Sequence, residues 1–108
     1  SAAGGLREAV KQARKLHPDK LLEVEVENLE QLQQLLPLRP DRILLDNFNV
    51  QNLQQAVRIT AGTVPLEASG NIDLENIREV AATGVNYISL GSLTKHLQAV
   101  DFSLLFKS

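Results

Sequence analysis

Apolar and polar residues alternate along this chain with two different periods, and the switch between them predicts helices and strands in turn. Apolar side chains recur at helical spacing over residues 6–16, and Pro18 then ends the predicted helix. Alternate positions are apolar over residues 22–26, as in a half-buried strand. The same succession continues, and it predicts further strands at 42–45, 64–68 and 85–90 with a helix before each.

Capping residues mark where the later helices begin. Asn28 with Gln31 resembles a capping box, and Asn49 stands before the third helix. Asp73 is expected to cap the fourth helix, with Leu74 on its apolar face. After the fourth strand we expect a short helical turn at 93–98, and an apolar tail at 102–106 that packs against the body of the domain.

The predicted strands begin about 21 residues apart with a helix between each pair, which is typical of βα units in a parallel sheet. The fold class is therefore α/β, with residues 1–108 forming one unit. Four βα units make either a small open sheet or half of a (β/α) barrel. Because each strand carries polar groups on one side only, we favour a half-barrel, a fragment of a larger TIM-like domain.

Composition narrows the possible functions. The 108 residues carry a formal charge of −2, which predicts no nucleic-acid partner, and no apolar run is long enough for a membrane span. The absence of cysteine excludes thiolate metal sites and is compatible with a cytoplasmic protein. The chain begins without Met, so we expect it to be part of a longer protein.

Three acidic residues, Glu23, Glu25 and Glu27, alternate with valines around the first strand. Alternation places them on one side of the strand, where three buried unpaired carboxylates would be very costly. They therefore need cations, hydrogen-bond donors or solvent, and a solvated edge strand is the alternative interpretation. The functional interpretation places Glu25 near a ligand, with Glu27 already in the loop.

Two more carboxylates follow the next strands. Asp46 ends the second strand, where barrel enzymes place catalytic or binding groups, although it could instead cap the following helix. Glu67 shares the face of Ser69 by alternation. Together with Glu25, these acids could bind ribose hydroxyls or Mg²⁺, which prefers oxygen ligands.

Small residues follow the third and fourth strands at Ser69-Gly70-Asn71 and Leu90-Gly91-Ser92. Turns of this kind leave backbone N–H groups free to bind a phosphate, although an isolated glycine more often serves the turn alone. Two such turns on neighbouring strands favour phosphate binding. Lys95 and His96 follow on the same rim, so either could approach the phosphates.

These motifs together resemble the C-terminal part of the quinolinate phosphoribosyltransferase family, the carboxylating nicotinate-nucleotide pyrophosphorylases. The resemblance rests on Val-Glu-Val-Glu, Leu-Leu-Asp-Asn-Phe, Leu-Glu-Ala-Ser-Gly-Asn, Ile-Ser-Leu-Gly-Ser-Leu-Thr and Ala-Val-Asp-Phe-Ser-Leu, in this order. It covers essentially the whole chain. Asn71 stands where many members have a second glycine, and Lys95-His96 departs from the more usual Thr-His-Ser.

The resemblance implies a reaction and a set of partners. The family makes nicotinate mononucleotide, pyrophosphate and CO₂ from quinolinate and phosphoribosyl pyrophosphate, with Mg²⁺. It uses an unusual α/β barrel with an N-terminal sandwich domain, and it assembles as dimers or multiples of dimers. Glu25 and Asp46 would hold the ribose hydroxyls and the metal, while Ser69, Gly70 and Gly91 would hold phosphate.

Charge predicts that this chain does not catalyse alone. Both substrates are polyanions, yet the predicted rim offers Lys95 and His96 as its bases. In the family the basic cluster lies on the N-terminal domain, the early strands and the partner subunit, so we expect a missing N-terminal part. Two alternatives remain open: another sugar-phosphate-binding barrel enzyme, and a non-catalytic half-barrel that self-associates through its open edge.

Overall fold

Helices and strands alternate through the computed structural model, which describes residues 2–90 and 97–102. The described helices are α1 (Ala2–Leu16), α2 (Leu29–Leu35), α3 (Val50–Thr60) and α4 (Ile77–Ala82), with a short 3₁₀ helix at Leu36–Leu38. The described strands are β1 (Leu21–Val26), β2 (Arg42–Asp46), β3 (Leu66–Ser69), β4 (Tyr87–Ile88) and β5 (Leu97–Asp101). The predicted α/β class is confirmed.

All described strands lie in one parallel sheet with the order β4-β3-β2-β1-β5. Strands β1 to β4 are neighbours in chain order, as expected of successive βα units. The fifth strand was not predicted, and it pairs with the outer edge of β1 from Leu21↔Leu97 to Glu25↔Asp101. It therefore covers an edge that four strands alone would leave open.

Side-chain caps begin α2 and α3 as the sequence predicts. Asn28 Oδ1 accepts a hydrogen bond from the Gln31 backbone N–H at 2.8 Å, while Gln31 Oε1 accepts one from the Glu27 N–H at 2.7 Å. Asn49 Oδ1 accepts from the Asn52 N–H at 2.7 Å. These bonds satisfy donors that a helix leaves free in its first turn, so both helices begin at defined points.

One apolar core fills the space between the helices and a single face of the sheet. Alternate strand residues supply one side of this core, and helix residues spaced three or four apart supply the other. Its fully buried members include Val24, Val26, Leu32, Leu35, Ile43, Leu45 and Ala56. Because all four described helices contribute to this one cluster, the opposite face of the sheet is left for polar residues.

Several predicted elements differ from the observed ones. Asp73 Oδ1 accepts hydrogen bonds from the N–H groups of Glu75 and Asn76, so it stabilises a turn before the helix. The Ile77 N–H donates to the Asp73 carbonyl at 3.0 Å, so Asp73 makes the hydrogen bonds expected of a cap, one turn before the first residue of α4, Ile77. Leu74, predicted to lie on the apolar face, is 89% exposed, so that part of the prediction was wrong.

The prediction of a helical turn at 93–98 was wrong at its end, because residues 97 and 98 belong to β5. Pairing with β1 overrides the local helical pattern there. Residues 93–96 lie outside the described residues. Phe102 is buried, as expected of the apolar tail, and the remainder of that tail, 103–106, also lies outside them.

Two leucines test this assignment of the core, because they undergo the same chemical change in opposite environments. Leu32 is fully buried in α2, so Leu32→Ala should lower the free energy of unfolding by about 2–5 kcal/mol. Leu74→Ala is the matched control, and it should change that free energy by less than about 0.5 kcal/mol. Urea denaturation followed by circular dichroism measures both. Equal effects of the two substitutions would contradict the described packing.

Candidate functional site

The face of the sheet opposite the helices carries the charged residues of the strands. Alternation and register place the following described residues on it: Glu23, Glu25, Arg42, Leu44, Asp46, Glu67, Ser69 and Tyr87. Among the described residues of this face, Arg42 is the one cation. The face divides into two layers along the strand direction, a lower one near the start of β2 and an upper one at the carboxyl ends.

The lower layer is a cluster of Glu23, Arg42, Glu67 and Tyr87, joined by hydrogen bonds, an ion pair and a cation–π contact. Arg42 Nη1 lies 2.9 Å from Glu67 Oε1, and its guanidinium lies 3.9 Å above the centre of the Tyr87 ring. The side chain of Glu23 hydrogen-bonds to Glu67. Glu23 Oε1 is buried, and no described group donates a hydrogen bond to it. Two acids thus share one arginine beneath the upper layer.

Burial is the main cause that raises the pKa of Glu23 from 4.5 to about 7. The hydrogen bond and the negative charge of Glu67 raise this pKa further, while Arg42 opposes them. At neutral pH Glu23 is therefore about as often protonated as ionised, and its proton lets it donate to the Glu67 carboxylate. This shared proton is how the chain avoids the cost of several buried negative charges.

The upper layer gathers carboxylates at the ends of three adjacent strands. Glu25 of β1 is the register partner of Asp101 on β5, and Asp46 ends the neighbouring β2. Burial raises the pKa of Glu25, and the charges of Asp46, Asp101 and Glu27 raise it further in that order. A cavity of about 90 Å³ lies between the layers, lined by Glu23, Glu25, Leu44, Val100 and Asp101.

The carboxylates of the upper layer suit Mg²⁺ only if water or substrate oxygens complete its ligands. Within the described ranges, no three His, Asp or Glu side chains are grouped so that they could hold a metal ion. Mg²⁺ commonly takes one or two carboxylates together with water and substrate phosphate oxygens. Glu25 and Asp46 supply such a pair, and the raised pKa of Glu25 means that a cation there would relieve repulsion.

The Ser69-Gly70-Asn71 turn lies directly beside Asp46. Asp46 and Ser69 are register partners at the ends of β2 and β3, so their side chains project from the same face. Gly70 and Asn71 then adopt positive φ angles of 86° and 54°, which turn the chain away from the strand. The predicted proximity of the acid and the turn is thus present in the structure.

Hydrogen bonds fix this turn from both sides. The Asn47 backbone N–H donates to the Ser69 carbonyl at 2.8 Å. Asn76 Nδ2 donates to the Asn71 carbonyl at 2.7 Å, and Asn76 Oδ1 accepts from the Asp73 N–H. A cavity of about 400 Å³ adjoins the turn, with Asn47, Gly70, Asn71 and Asn76 in its lining. The turn therefore has a defined shape.

The second predicted turn is described only at its start. The Ser89 N–H donates to the Ala68 carbonyl at 2.9 Å, so the chain leaves β4 alongside β3 at the same rim. Leu90 follows with its side chain 59% exposed, and a backbone contact is the only polar one that it can offer a ligand. Gly91, Ser92, Lys95 and His96 lie outside the described residues, and their expected roles stay predictions.

The positions of Glu67 and Glu27 bear on the roles predicted for these two acids. Glu67, expected to contact the ligand, is 4% exposed and ion-paired with Arg42, an arrangement that favours support from beneath over direct contact. Glu27 lies beyond the end of β1, as predicted, and it is exposed. No role was predicted for Arg42 or Asp101. Alternation along the second strand could have revealed Arg42, whereas Asp101 depends on the unpredicted β5.

The helices of the described residues are too short or too polar to cross a membrane.

Comparison with known families identifies the model for the quinolinate phosphoribosyl transferase C-terminal domain, which matches residues 1–105.

Individual relatives show the same similarity. The chain is 43% identical over 107 residues to a nicotinate-nucleotide pyrophosphorylase [carboxylating] of Mycobacterium leprae, covering 96% of this chain and 38% of that protein. It is 37% identical over 123 residues to a chloroplastic protein of that name from Arabidopsis thaliana, of which it covers 35%. The chain thus spans little more than a third of these relatives.

Solved structures share the fold. The nicotinate-nucleotide pyrophosphorylase of Francisella tularensis superimposes with a TM-score of 0.75 at 46% identity, covering 90% of this chain and 35% of that one. The Streptococcus pyogenes protein gives a TM-score of 0.73 at 38% identity, with 82% and 32% coverage.

The lower layer predicts how stability depends on pH. Between about 4.5 and 7, folded Glu23 keeps a proton that the unfolded chain has released, so the free energy of unfolding should fall as the pH rises. The slope from this one group is at most about 1.4 kcal/mol per pH unit. Glu23→Gln cannot titrate, and its stability should fall less steeply over this range in metal-free buffer.

Denaturant unfolding at half-unit pH steps measures these slopes. Glu75→Gln, a change to an exposed carboxylate, is the control and should keep the slope of the unaltered chain. Some slope should remain in Glu23→Gln, because the pKa of Glu25 is raised as well. If the free energy of unfolding of Glu23→Gln depended on pH as that of the control does, the proton proposed to be shared by Glu23 and Glu67 would have no support.

Proposed function

The chain belongs to the quinolinate phosphoribosyltransferase family, and from this premise we propose that it forms the ribose- and phosphate-binding part of such an enzyme. The reaction joins quinolinate to phosphoribosyl pyrophosphate and gives nicotinate mononucleotide, pyrophosphate and CO₂, a step of NAD biosynthesis. One observation supports this assignment above all others: Asp46 and the Ser69-Gly70-Asn71 turn lie side by side, with Glu25 on the next strand.

The carboxylates would act on the charge that develops at the ribose. Departure of pyrophosphate leaves a ribose with oxocarbenium character, so positive charge grows at the carbon where the new bond forms. Negative groups held beforehand at that position lower the barrier more than they stabilise the substrate. Glu25 and Asp46 are such groups, and each could also accept hydrogen bonds from ribose hydroxyls.

The turn after β3 would hold the phosphate on the far side of the ribose. Gly70 and Asn71 have positive φ angles, and successive backbone N–H groups in such turns can point toward one anion. Binding the phosphate here fixes the sugar, which brings the reacting carbon into line with the pyridine nitrogen. On the basis of their motif, we include the backbone amides of Gly91 and Ser92 and the Ser92 hydroxyl in this proposal.

Mg²⁺ belongs to the proposal as the cofactor, with Glu25 and Asp46 as its protein ligands. When bound, it would neutralise charge on the departing pyrophosphate. The raised pKa of Glu25 supports this choice, because neighbouring carboxylates that repel one another provide a favourable position for a cation.

The quinolinate carboxylates require cations, and Arg42 is the one cation on the described part of this sheet face. Arg42 is already paired with Glu67 and stacked on Tyr87, at the end of the sheet away from Asp46. We therefore propose that the basic pocket lies in the part of the family's sequence that this chain does not span, and that the chain alone is inactive. Assembly as a homodimer or a multiple of dimers, and a cytoplasmic location, complete the proposal.

Activity in a chimera tests the assignment. The 108-residue chain alone should form no detectable nicotinate mononucleotide from quinolinate, phosphoribosyl pyrophosphate and Mg²⁺. A chimera in which it replaces the matching segment of the Mycobacterium leprae relative should form this product. Asp46→Asn in the chimera should lower kcat about 100-fold or more, because a charge aligned with the transition state is lost. It should also raise the Mg²⁺ concentration needed for half-maximal rate.

Asp19→Asn is the matched control, since Asp19 is exposed and lies before β1, at the opposite end of the sheet from Asp46. It should leave kcat unchanged. Product formed by the chain alone would contradict the proposed division of the site. A chimera that is folded by circular dichroism but inactive would contradict the function, as would turnover of simple sugar phosphates in place of phosphoribosyl pyrophosphate.

A further inference from the structure

Asn47, the residue after Asp46, has an unusual backbone conformation with a consequence for the neighbouring turn. Its φ angle is 58°, in the left-handed region that few residues other than glycine and asparagine adopt readily. This conformation ends β2 abruptly. The Asn47 N–H is thereby directed toward β3, where it donates to the Ser69 carbonyl at 2.8 Å.

The exposed side chain of Asn47 packs so closely against Gly70 that it would have to move to admit a larger residue there. A Cβ atom on Gly70 would lie 2.8 Å from the Asn47 Cγ and 3.2 Å from the Asn47 backbone nitrogen. Real Cβ atoms essentially never approach other heavy atoms to under 3.0 Å. Gly70 therefore has two reasons to be glycine, its φ angle of 86° and the position of this amide group.

The contact joins two functional elements through one residue. Asn47 follows Asp46 directly in the chain, and its amide lies against the Ser69-Gly70-Asn71 turn on the next strand. Asn76 already fixes the far end of that turn through its bond to the Asn71 carbonyl. Without the Asn47 side chain, the near end would keep the hydrogen bond from the backbone N–H of residue 47 to the Ser69 carbonyl, and Gly70 would gain conformational freedom.

We propose that Asn47 is a positioning residue, which holds the Ser69-Gly70-Asn71 turn in its phosphate-binding shape and at a fixed distance from Asp46. The class of ligand in this inference, a phosphorylated ribose, is taken from the proposed function, on which the inference therefore rests. Asn47 need not touch the ligand. Its effect passes through Gly70, so substitutions at the two positions should not act independently.

A double-mutant cycle on the 108-residue chain tests this coupling. Asn47→Gly removes the amide while keeping the backbone conformation accessible, and Gly70→Ala forces the close contact. Affinity for ribose 5-phosphate is measured by NMR titration of backbone amides, with ribose as the ligand that lacks phosphate. Each single variant should weaken ribose 5-phosphate binding about tenfold, the effect of losing one well-placed interaction with a charged group. The double variant should be within about twofold of Gly70→Ala.

Ala61→Gly is the control for loss of a side chain at a positive φ angle. Ala61 has a φ angle of 50° at the end of α3, far from the turn, so this variant should bind as the unaltered chain does. A structural role alone would lower the thermal stability of Asn47→Gly without weakening its affinity for the phosphate ester at a temperature where it is folded.

Three results would overturn the inference: unchanged affinity in Asn47→Gly, effects that multiply in the double variant, or no binding of ribose 5-phosphate by the unaltered chain. Failure of the proposed function is a separate result. An inactive chimera together with a coupled cycle would refute the reaction and keep the positioning role. An active chimera, together with effects at positions 47 and 70 that are independent, would support the reaction and refute the positioning role.

Discussion

The carboxyl group of Glu23 lies where two requirements of the sheet conflict. Valines at alternate positions of β1 must face the helices to complete the core, and this places the intervening acids on the opposite face. Burial of several ionised carboxylates together is too costly to tolerate without compensation. The compensation consists of a proton on Glu23, its hydrogen bond to Glu67, and the ion pair of Glu67 with Arg42.

The upper layer places its carboxylates at the carboxyl ends of the strands. Burial raises the pKa of Glu25, and the charges of Asp46, Asp101 and Glu27, which lie at or just beyond these strand ends, raise it further. The register between β2 and β3 then sets Asp46 beside Ser69, and the left-handed residues that follow each strand shape the adjoining turn. Charge for a ribose cation and N–H groups for a phosphate thus lie at one rim, as the proposed reaction requires.

Much of this arrangement could be predicted from the sequence because it depends on local rules. Period-two alternation in β1 identified the acidic face, and Asn28 and Asn49 identified two helix starts. The position of Asp46 at the end of a strand followed from the succession of βα units. The fifth strand could not be predicted in this way, since its residues form a strand only through pairing with β1. Arg42 and Asn47 were missed because their partners, Glu67 and Gly70, are 25 and 23 residues away in the chain.

The position of a bound ligand tests the central claim most directly. A crystal structure of the chimera with phosphoribosyl pyrophosphate and Mg²⁺ should show the 5-phosphate within hydrogen-bonding distance of the Gly70 and Asn71 N–H groups. It should also show the ribose hydroxyls or the metal against Glu25 and Asp46. A ligand bound at another surface, with these carboxylates and this turn free of it, would contradict the account.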